Sequence, residues 1–202
     1  TTPKVPYKET ILSKVQTHYR HKKQTGGHGQ FGEVYVRLEP LPRGSNTVEF
    51  AEEVVGGAVP RNFIPAVEKG IREAAAEGVI AGYPITDIRA VLYDGKYHDV
   101  DSSEMSFKIA GREALKSGVL EGNPVLLEPI VTMEVTVREQ HMGDVIGDLN
   151  SKRARVLGME QTRGLASITA QAPLAEVQRY ATDLRSITQG RGTFTMGFDH
   201  YE

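Results

Sequence analysis

Val15, Thr17, Tyr19 and His21 alternate with polar neighbours at the period of an extended chain, and Val34, Val36 and Leu38 do so again after a glycine-rich interval. The pattern predicts two strands joined as a hairpin, ended by Pro40, Pro42 and Gly44. Another strand is expected from Val48 to Val55, stopped by Gly56 and Gly57. From Asn62 to Glu77 the period becomes helical: Ile64, Val67, Ile71 and Ala74 share a stripe, Asn62 takes the cap position, Pro65 falls in the first turn and Gly78 follows the end. Ile85 to Tyr93 reads as a strand entering a tight turn at Asp94-Gly95. Asp101-Ser-Ser-Glu104 has capping-box spacing, with the Asp101 carboxylate as acceptor, and opens a helix that Gly118 ends. Residues 1 to 10, carrying Pro3 and Pro6, read as a linker, and Glu121-Gly-Asn-Pro124 as a domain boundary.

The second part is more regular. Val131, Met133, Val135 and Val137 alternate with Thr132, Glu134 and Thr136, giving one buried and one wet sheet face. A helix from about His141 to Arg153 aligns Met142, Val145, Ile146 and Leu149, with Gly143 and Gly147 allowing close approach. Strands follow at 156–161 and 166–172, then a helix from Pro173 to about Thr188, stopped by Gly190, and a strand carrying Phe194, Met196 and Phe198. In order this is βαββαβ, a ferredoxin-like plan. The expected class is α+β with two domains, 1–124 and 125–202.

With 202 residues, 39% of them hydrophobic and 25% charged, the chain has the means for a core in each domain. The absence of cysteine excludes disulfides, thiolate metal sites and a cysteine nucleophile, which suits a cytoplasmic protein. No apolar run approaches the roughly 20 residues that span a bilayer, and Thr1 to Glu9 has no signal-peptide character, so no membrane partner is expected. The first residue is not Met, as in a processed chain or an excised fragment. A net charge of −2 argues against a uniformly basic surface, yet no acidic residue lies between Thr10 and Gly32, where Lys14, Arg20, Lys22 and Lys23 stand with His18, His21 and His28. A second basic group, Lys152-Arg153-Ala154-Arg155, comes late.

The basic run leads into Gln24-Thr-Gly-Gly-His-Gly-Gln-Phe-Gly32, the tip of the expected hairpin. Four glycines there let the backbone adopt positive φ and lie against another surface, which we read as RNA. The same letters satisfy G-x-G-x-x-G, but a strand follows where a pyrophosphate needs a helix N-terminus. They also fit a kinase glycine-rich loop, a remote nucleotide-binding alternative; the Lys69 segment is helical, however, and no HRD, DFG or APE follows. No G-x-x-x-x-G-K-[ST] is present. His98, Asp99, Asp101 and Glu104 carry metal-ligand chemistry, but capping already accounts for Asp101 and Glu104. No serine has the neighbours of a nucleophile, so no catalytic residue and no metal site is expected. If the loops Gly26–Gln30 and Lys96–Asp99 share one end, their N–H groups with His28, Gln30 and His98 suit sugar edges, phosphates and unstacked bases, with Lys22 and Lys23 behind them.

These blocks carry a resemblance. The glycine stretch, Gly82-Tyr-Pro84, Tyr97-His-Asp-Val-Asp-Ser-Ser-Glu104, Pro124-Val-Leu-Leu-Glu-Pro129, Gly143-Asp-Val-Ile-Gly-Asp-Leu149 and Tyr180-Ala-Thr-Asp-Leu-Arg-Ser186 resemble the C-terminal half of bacterial translation elongation factor G over essentially the whole chain. The resemblance implies a fourth domain at 1–124, ribosomal-protein-like with a left-handed crossover, and a ferredoxin-like fifth domain at 125–202. It implies a ribosome-dependent GTPase parent using GTP and Mg, whose GTPase, second and third domains are absent here; the fragment itself would need no cofactor and would act as a monomer. The implied partners are the ribosome's small-subunit decoding-centre rRNA, the tRNA–mRNA pair and the large-subunit factor-binding region. The tip residues would be Gly26, Gly27, His28, Gly29 and Gln30, with Tyr97, His98, Asp99 and Asp101. One departure points toward a paralogue used in recycling or without translocase duty: the main translocase usually has Arg where this chain has His28.

Overall fold

The computed structural model describes residues 3–25 and 27–202. The chain forms two compact units, one from Tyr7 to Leu127, the other from Glu128 to Glu202 together with residues 3–6. In the first, a four-stranded sheet is built from β2 (Val15–Thr25), β3 (His28–Pro40), β5 (Ile88–Lys96) and β4 (Val48–Glu52), in that spatial order. β3 is antiparallel to both β2 and β5, whereas β4 is parallel to β5 and reaches it through helix α1 (Ile64–Glu77). Val34, Val36, Leu38, Ala90 and Leu92 on the sheet meet Val67, Ile71 and Ala74 of α1 and Phe107, Ala114 and Leu115 of α2 (Glu104–Glu121), all fully buried. At about 25 cal/mol per Å² of apolar surface removed from water, this core is the main stabilising term of the unit. The two helices touch backbone to backbone: a Cβ on Gly70 would collide with the Lys108 carbonyl, and one on Gly111 with that of Val67.

Several local expectations change. Residues 8 to 10, read as the end of a linker, lie in strand β1 (Lys8–Ile11), antiparallel to β6 (Pro124–Leu127). Its Glu9 is fully buried, and its carboxylate accepts the N–H groups of Val79, Ile80, Ala81 and Tyr83 at 2.7–3.0 Å. Burial works to raise its pKa, but the four backbone donors more than offset that and hold it below the ordinary value. A second buried carboxylate, Asp87, accepts from Asn46 N–H at 2.7 Å, Gly44 N–H at 3.3 Å and the Arg43 guanidinium at 3.2 Å, tying down the loop after β3. Asp94-Gly95 is no turn; both residues lie in β5 opposite Tyr35 and Val34, where the ladder shifts register. Asn62 caps nothing, because α1 is entered through a 3₁₀ turn, Arg61–Phe63. Gly118 lies buried inside α2, which runs on to Glu121.

The second unit has the expected ferredoxin-like topology. Strands β7 (Pro129–Arg138), β8 (Arg155–Thr162), β9 (Leu165–Pro173) and β10 (Thr193–Tyr201) pair antiparallel in the order β10-β7-β9-β8. The inward residues of β7 and β9 pack on Val145 and Leu149 of α3 (Met142–Ser151), Val177 of α4 (Leu174–Val177) and Tyr180 and Leu184 of α5 (Tyr180–Thr188). The single helix expected from Pro173 is thus two, and α5 ends in two positive-φ residues, Gln189 at 56° and the expected Gly190 at 84°. Gly143 and Gly147 have open space where a Cβ would stand, so neither serves close packing.

Candidate nucleic-acid interface at the strand tips

Strand register alone brings the candidate loops together. Glu33 pairs with Lys96 at the end of β5, so the hairpin end of β2 and β3 overhangs β5 on the side where the chain leaves toward Tyr97. The Phe31 N–H donates to the Asp101 carbonyl at 3.0 Å, and Phe31 forms an isolated parallel bridge to Ser102. The two loops therefore form one tip, at the sheet end opposite Glu9 and Asp87. The glycines have separate duties. Gly27 holds φ 97° in the turn with open space around it, which favours a residue lacking Cβ. A Cβ on Gly29 would meet the Asp101 carboxylate, and one on Gly32 the backbone of Ser106 and Phe107 at 3.0–3.1 Å. Those two glycines fit the hairpin against its own neighbouring loop and helix, so the surface they lie against is internal.

Gly26 lies outside the described residues. His28 and Gln30 are exposed, though the Gln30 side-chain oxygen sits 2.9 Å from Nε2 of the buried His21. In the second loop Tyr97 is 47% exposed, His98 and Asp99 are exposed and Asp101 is half-buried. Asp101 is not the helix cap. Ser103 is: its side chain accepts from the Ser106 N–H at 3.1 Å, a shift of two positions that leaves Asp101 to face the hairpin. The His98 N–H donates to Ser102 Oγ at 2.8 Å, and Ser102 N–H returns to the His98 carbonyl at 3.1 Å. Sequence reasoning placed Arg20 in the basic run and Phe31 in the glycine stretch but missed their pairing. The Arg20 guanidinium lies 5.7 Å from the Phe31 ring centre, and the His98 ring 6.4 Å from it. The available signal was the cross-strand register, which sets Arg20 diagonal to Phe31.

The two basic groups separate cleanly. Lys22 and Lys23 are exposed and form no ion pair among the described residues. In the second group Lys152 bridges Asp148 at 2.7 Å and Asp183 at 3.3 Å, Arg153 bridges Glu128 at 2.7 Å and Glu176 at 3.1 Å, and Arg155 bonds Gln171 at 2.9 Å. Lys22 and Lys23 are thus without a carboxylate partner among the described residues, whereas in the second group only Arg155, exposed beside a neutral amide, is without one. The glycine stretch runs into β3 rather than into the helix N-terminus that a pyrophosphate needs, and the Phe31 N–H is taken by the Asp101 carbonyl. Among the described residues no group of three or more His, Asp or Glu is placed to share a metal ion, and no helix is long and apolar enough to cross a membrane.

Comparisons with known proteins agree with this layout. An elongation factor G-like protein of Thermotoga maritima is 54% identical over 201 residues, which are 99% of this chain but 29% of that relative. A crystal structure of a Thermus thermophilus protein superposes over 100% of this chain, and 30% of its own, with a TM-score of 0.87 and 45% identity. Residues 3–123 match the family described as elongation factor G, domain IV, and residues 125–202 match elongation factor G C-terminus. The chain therefore belongs to the elongation factor G family and spans its domain IV and C-terminal domain.

Proposed function

We propose that this chain is the ribosome-binding C-terminal part of a cytoplasmic translational GTPase that promotes tRNA–mRNA translocation, with the tip of its first domain reaching the small-subunit decoding centre. The observation that carries the reading is the joining of two hydrogen-bonding loops at one sheet end, through Phe31 and Asp101, beside the unpaired Lys22 and Lys23. RNA is engaged by such a combination: cations attract the phosphates, and loop donors and acceptors meet sugar and base edges. Gly26, Gly27, His28, Gly29, Gln30, Tyr97, His98, Asp99 and Asp101 form the contacting set. Gly29 and Asp101 contribute chiefly by fitting the loops together. The chain binds without catalysing; GTP and Mg belong to other parts of the parent, and the second domain faces the large-subunit factor-binding region.

A second reading, a paralogue acting in recycling or without translocase activity, is favoured by His28 and by the name of the 54% identical relative. One set of factors tests both. In a complete factor carrying this segment, shortening the glycine stretch between β2 and β3 should slow translocation while ribosome-stimulated GTP hydrolysis persists. A normal translocation rate with the shortened stretch contradicts the first reading. Replacing His28→Arg and comparing translocation with recycling separates the paralogue: a gain in translocation places the native chain outside the main translocase role. ATP titration of the chain itself should be flat.

A further inference from the structure

We propose that the sheet face turned away from the helices in the first unit is a further RNA-binding surface, where a base of an unpaired strand stacks on His18. The inference rests on the ribosomal reading only for the source of that strand; its residues are other than those of the tip loops. Alternation assigns the faces. Val34, Val36 and Leu38 of β3 enter the core with both helices, so Phe31, Glu33, Tyr35 and Arg37 look the other way. Their register partners on β2, Lys22, Arg20, His18 and Gln16, share that face, and all four are exposed. A row of rings crosses it. His18 lies on Tyr35 with ring centres 4.4 Å and planes 27° apart, and Tyr93 of β5 follows Tyr35 at 6.2 Å. The Arg37 guanidinium stands 5.9 Å from the Tyr93 ring centre and is held by Glu39 at 2.6 Å and by Glu53 at 3.2 Å. One end of the row therefore meets a neutralised cation, while the other ends in an imidazole that is 44% exposed.

That ring is fixed, and its surroundings are cationic. His18 Nε2 donates to Glu33 Oε1 at 2.6 Å, and the Glu33 side chain is 7% exposed. Between His18 and Tyr35 it is the only acidic residue, and it is spent on the imidazole. Arg20 and Lys22 lie two and four positions along the same face, Arg20 near Phe31, and neither has a carboxylate partner among the described residues. An open ring beside unpaired cations fits an unpaired RNA strand: the base continues the stack and the cations attract the phosphates. A duplex has its bases already stacked, and an acidic peptide would engage the cations but leave the row of rings unused. The face also runs into the tip through Phe31, whose N–H bonds the Asp101 carbonyl.

Two substitutions separate the ring from its hydrogen bond. His18→Gln keeps a side-chain N–H for Glu33 and loses the ring; His18→Tyr keeps a ring. Binding of a short fluorescein-labelled oligoadenylate to this chain is read by anisotropy at low salt. It should weaken about tenfold in His18→Gln and less than about threefold in His18→Tyr, as for loss of one stacked base. Lys22→Ala should weaken it about threefold and flatten its salt dependence. The same RNA annealed to its complement should bind the native chain and His18→Gln alike. Three results overturn the proposal: no binding of the single strand by the native chain, equal affinity of the native chain and His18→Gln for it, or equal weakening by both substitutions, which marks a merely structural histidine. Polyglutamate binding as tightly as the oligoadenylate would place an acidic protein there instead and overturns it too. The ribosomal reading is judged apart from this, by translocation with the shortened glycine stretch. Native translocation there leaves a weakened His18→Gln standing, and a His18→Gln that binds like the native chain leaves a translocation defect standing.

Discussion

The two ends of the first domain's sheet solve the same problem with opposite outcomes. At one end Glu9 and Asp87 each gather the N–H groups of an irregular loop and are themselves buried at 0% and 1% exposure. At the other, His98 gathers the N–H groups of Val100 and Asp101 but stays exposed, with one ring nitrogen to spare. A buried carboxylate with every oxygen engaged contributes stability and presents nothing outward. The half-used imidazole gives up most of that stability and keeps a polar atom in a fixed place. On the proposed function, the difference distinguishes a foundation from a contact surface, although both are loops held by side-chain acceptors.

The comparison breaks most readily at the foundation. Glu9→Gln replaces an acceptor that serves four backbone donors with an amide whose N–H₂ faces some of them. It should lower unfolding stability by roughly 3 kcal/mol in urea titration, since hydrogen bonds to a buried charge are among the stronger ones. The acid limb should flatten with it. The folded Glu9 carboxyl titrates below its unfolded value, so the unfolded chain binds the extra proton between the two; the stabilisation is present above the unfolded pKa and lost as pH falls through the folded one. The native chain should therefore lose stability on acidification below about pH 4.5 faster than Glu9→Gln does. Asp87→Ala should cost about 2 kcal/mol by the same titration, because four donors, the Thr86 hydroxyl among them, lose their partner and Ala accepts the left-handed φ of 59° less readily than Asp.

Smaller effects are expected at the tip. Gly27→Ala strains a turn with φ 97° but meets no neighbour, and should cost about 1 kcal/mol of stability. His98→Ala removes an exposed side chain and should shift stability by less than about 0.5 kcal/mol. Equal losses for Glu9→Gln and His98→Ala would erase the distinction between the two ends.

The division also marks what could be read from the residues alone. Alternation in β2, β3 and β7 and the helical stripes of α1 and α3 reflect burial of one face, which leaves a direct imprint on residue type, and these elements stand where the pattern places them. The joining of the glycine turn to the Tyr97 loop needed strand register, which alternation does not specify; the resemblance supplied it. Glu9 was invisible because a buried carboxylate looks like a solvated one until its four donors, some 70 residues away, are placed. Asp94-Gly95 has the letters of a turn, but cross-strand pairing with β3 overrides that local preference. The Asp101 cap failed for a related reason: Ser103 offers an equivalent acceptor two residues later, and contact with the hairpin takes Asp101 elsewhere.

The central claim, that the glycine and histidine loops are the working end and the carboxylate-held loops the support, is tested most directly by paired translocation and GTP-hydrolysis rates. These would be measured for complete factors bearing His98→Ala or Glu9→Gln at a temperature where both remain folded. Translocation should fall about tenfold for His98→Ala, with hydrolysis near the native rate, and stay near native for Glu9→Gln despite its larger loss of stability. Translocation that instead follows the stability loss, slowed by Glu9→Gln and untouched by His98→Ala, would contradict the account.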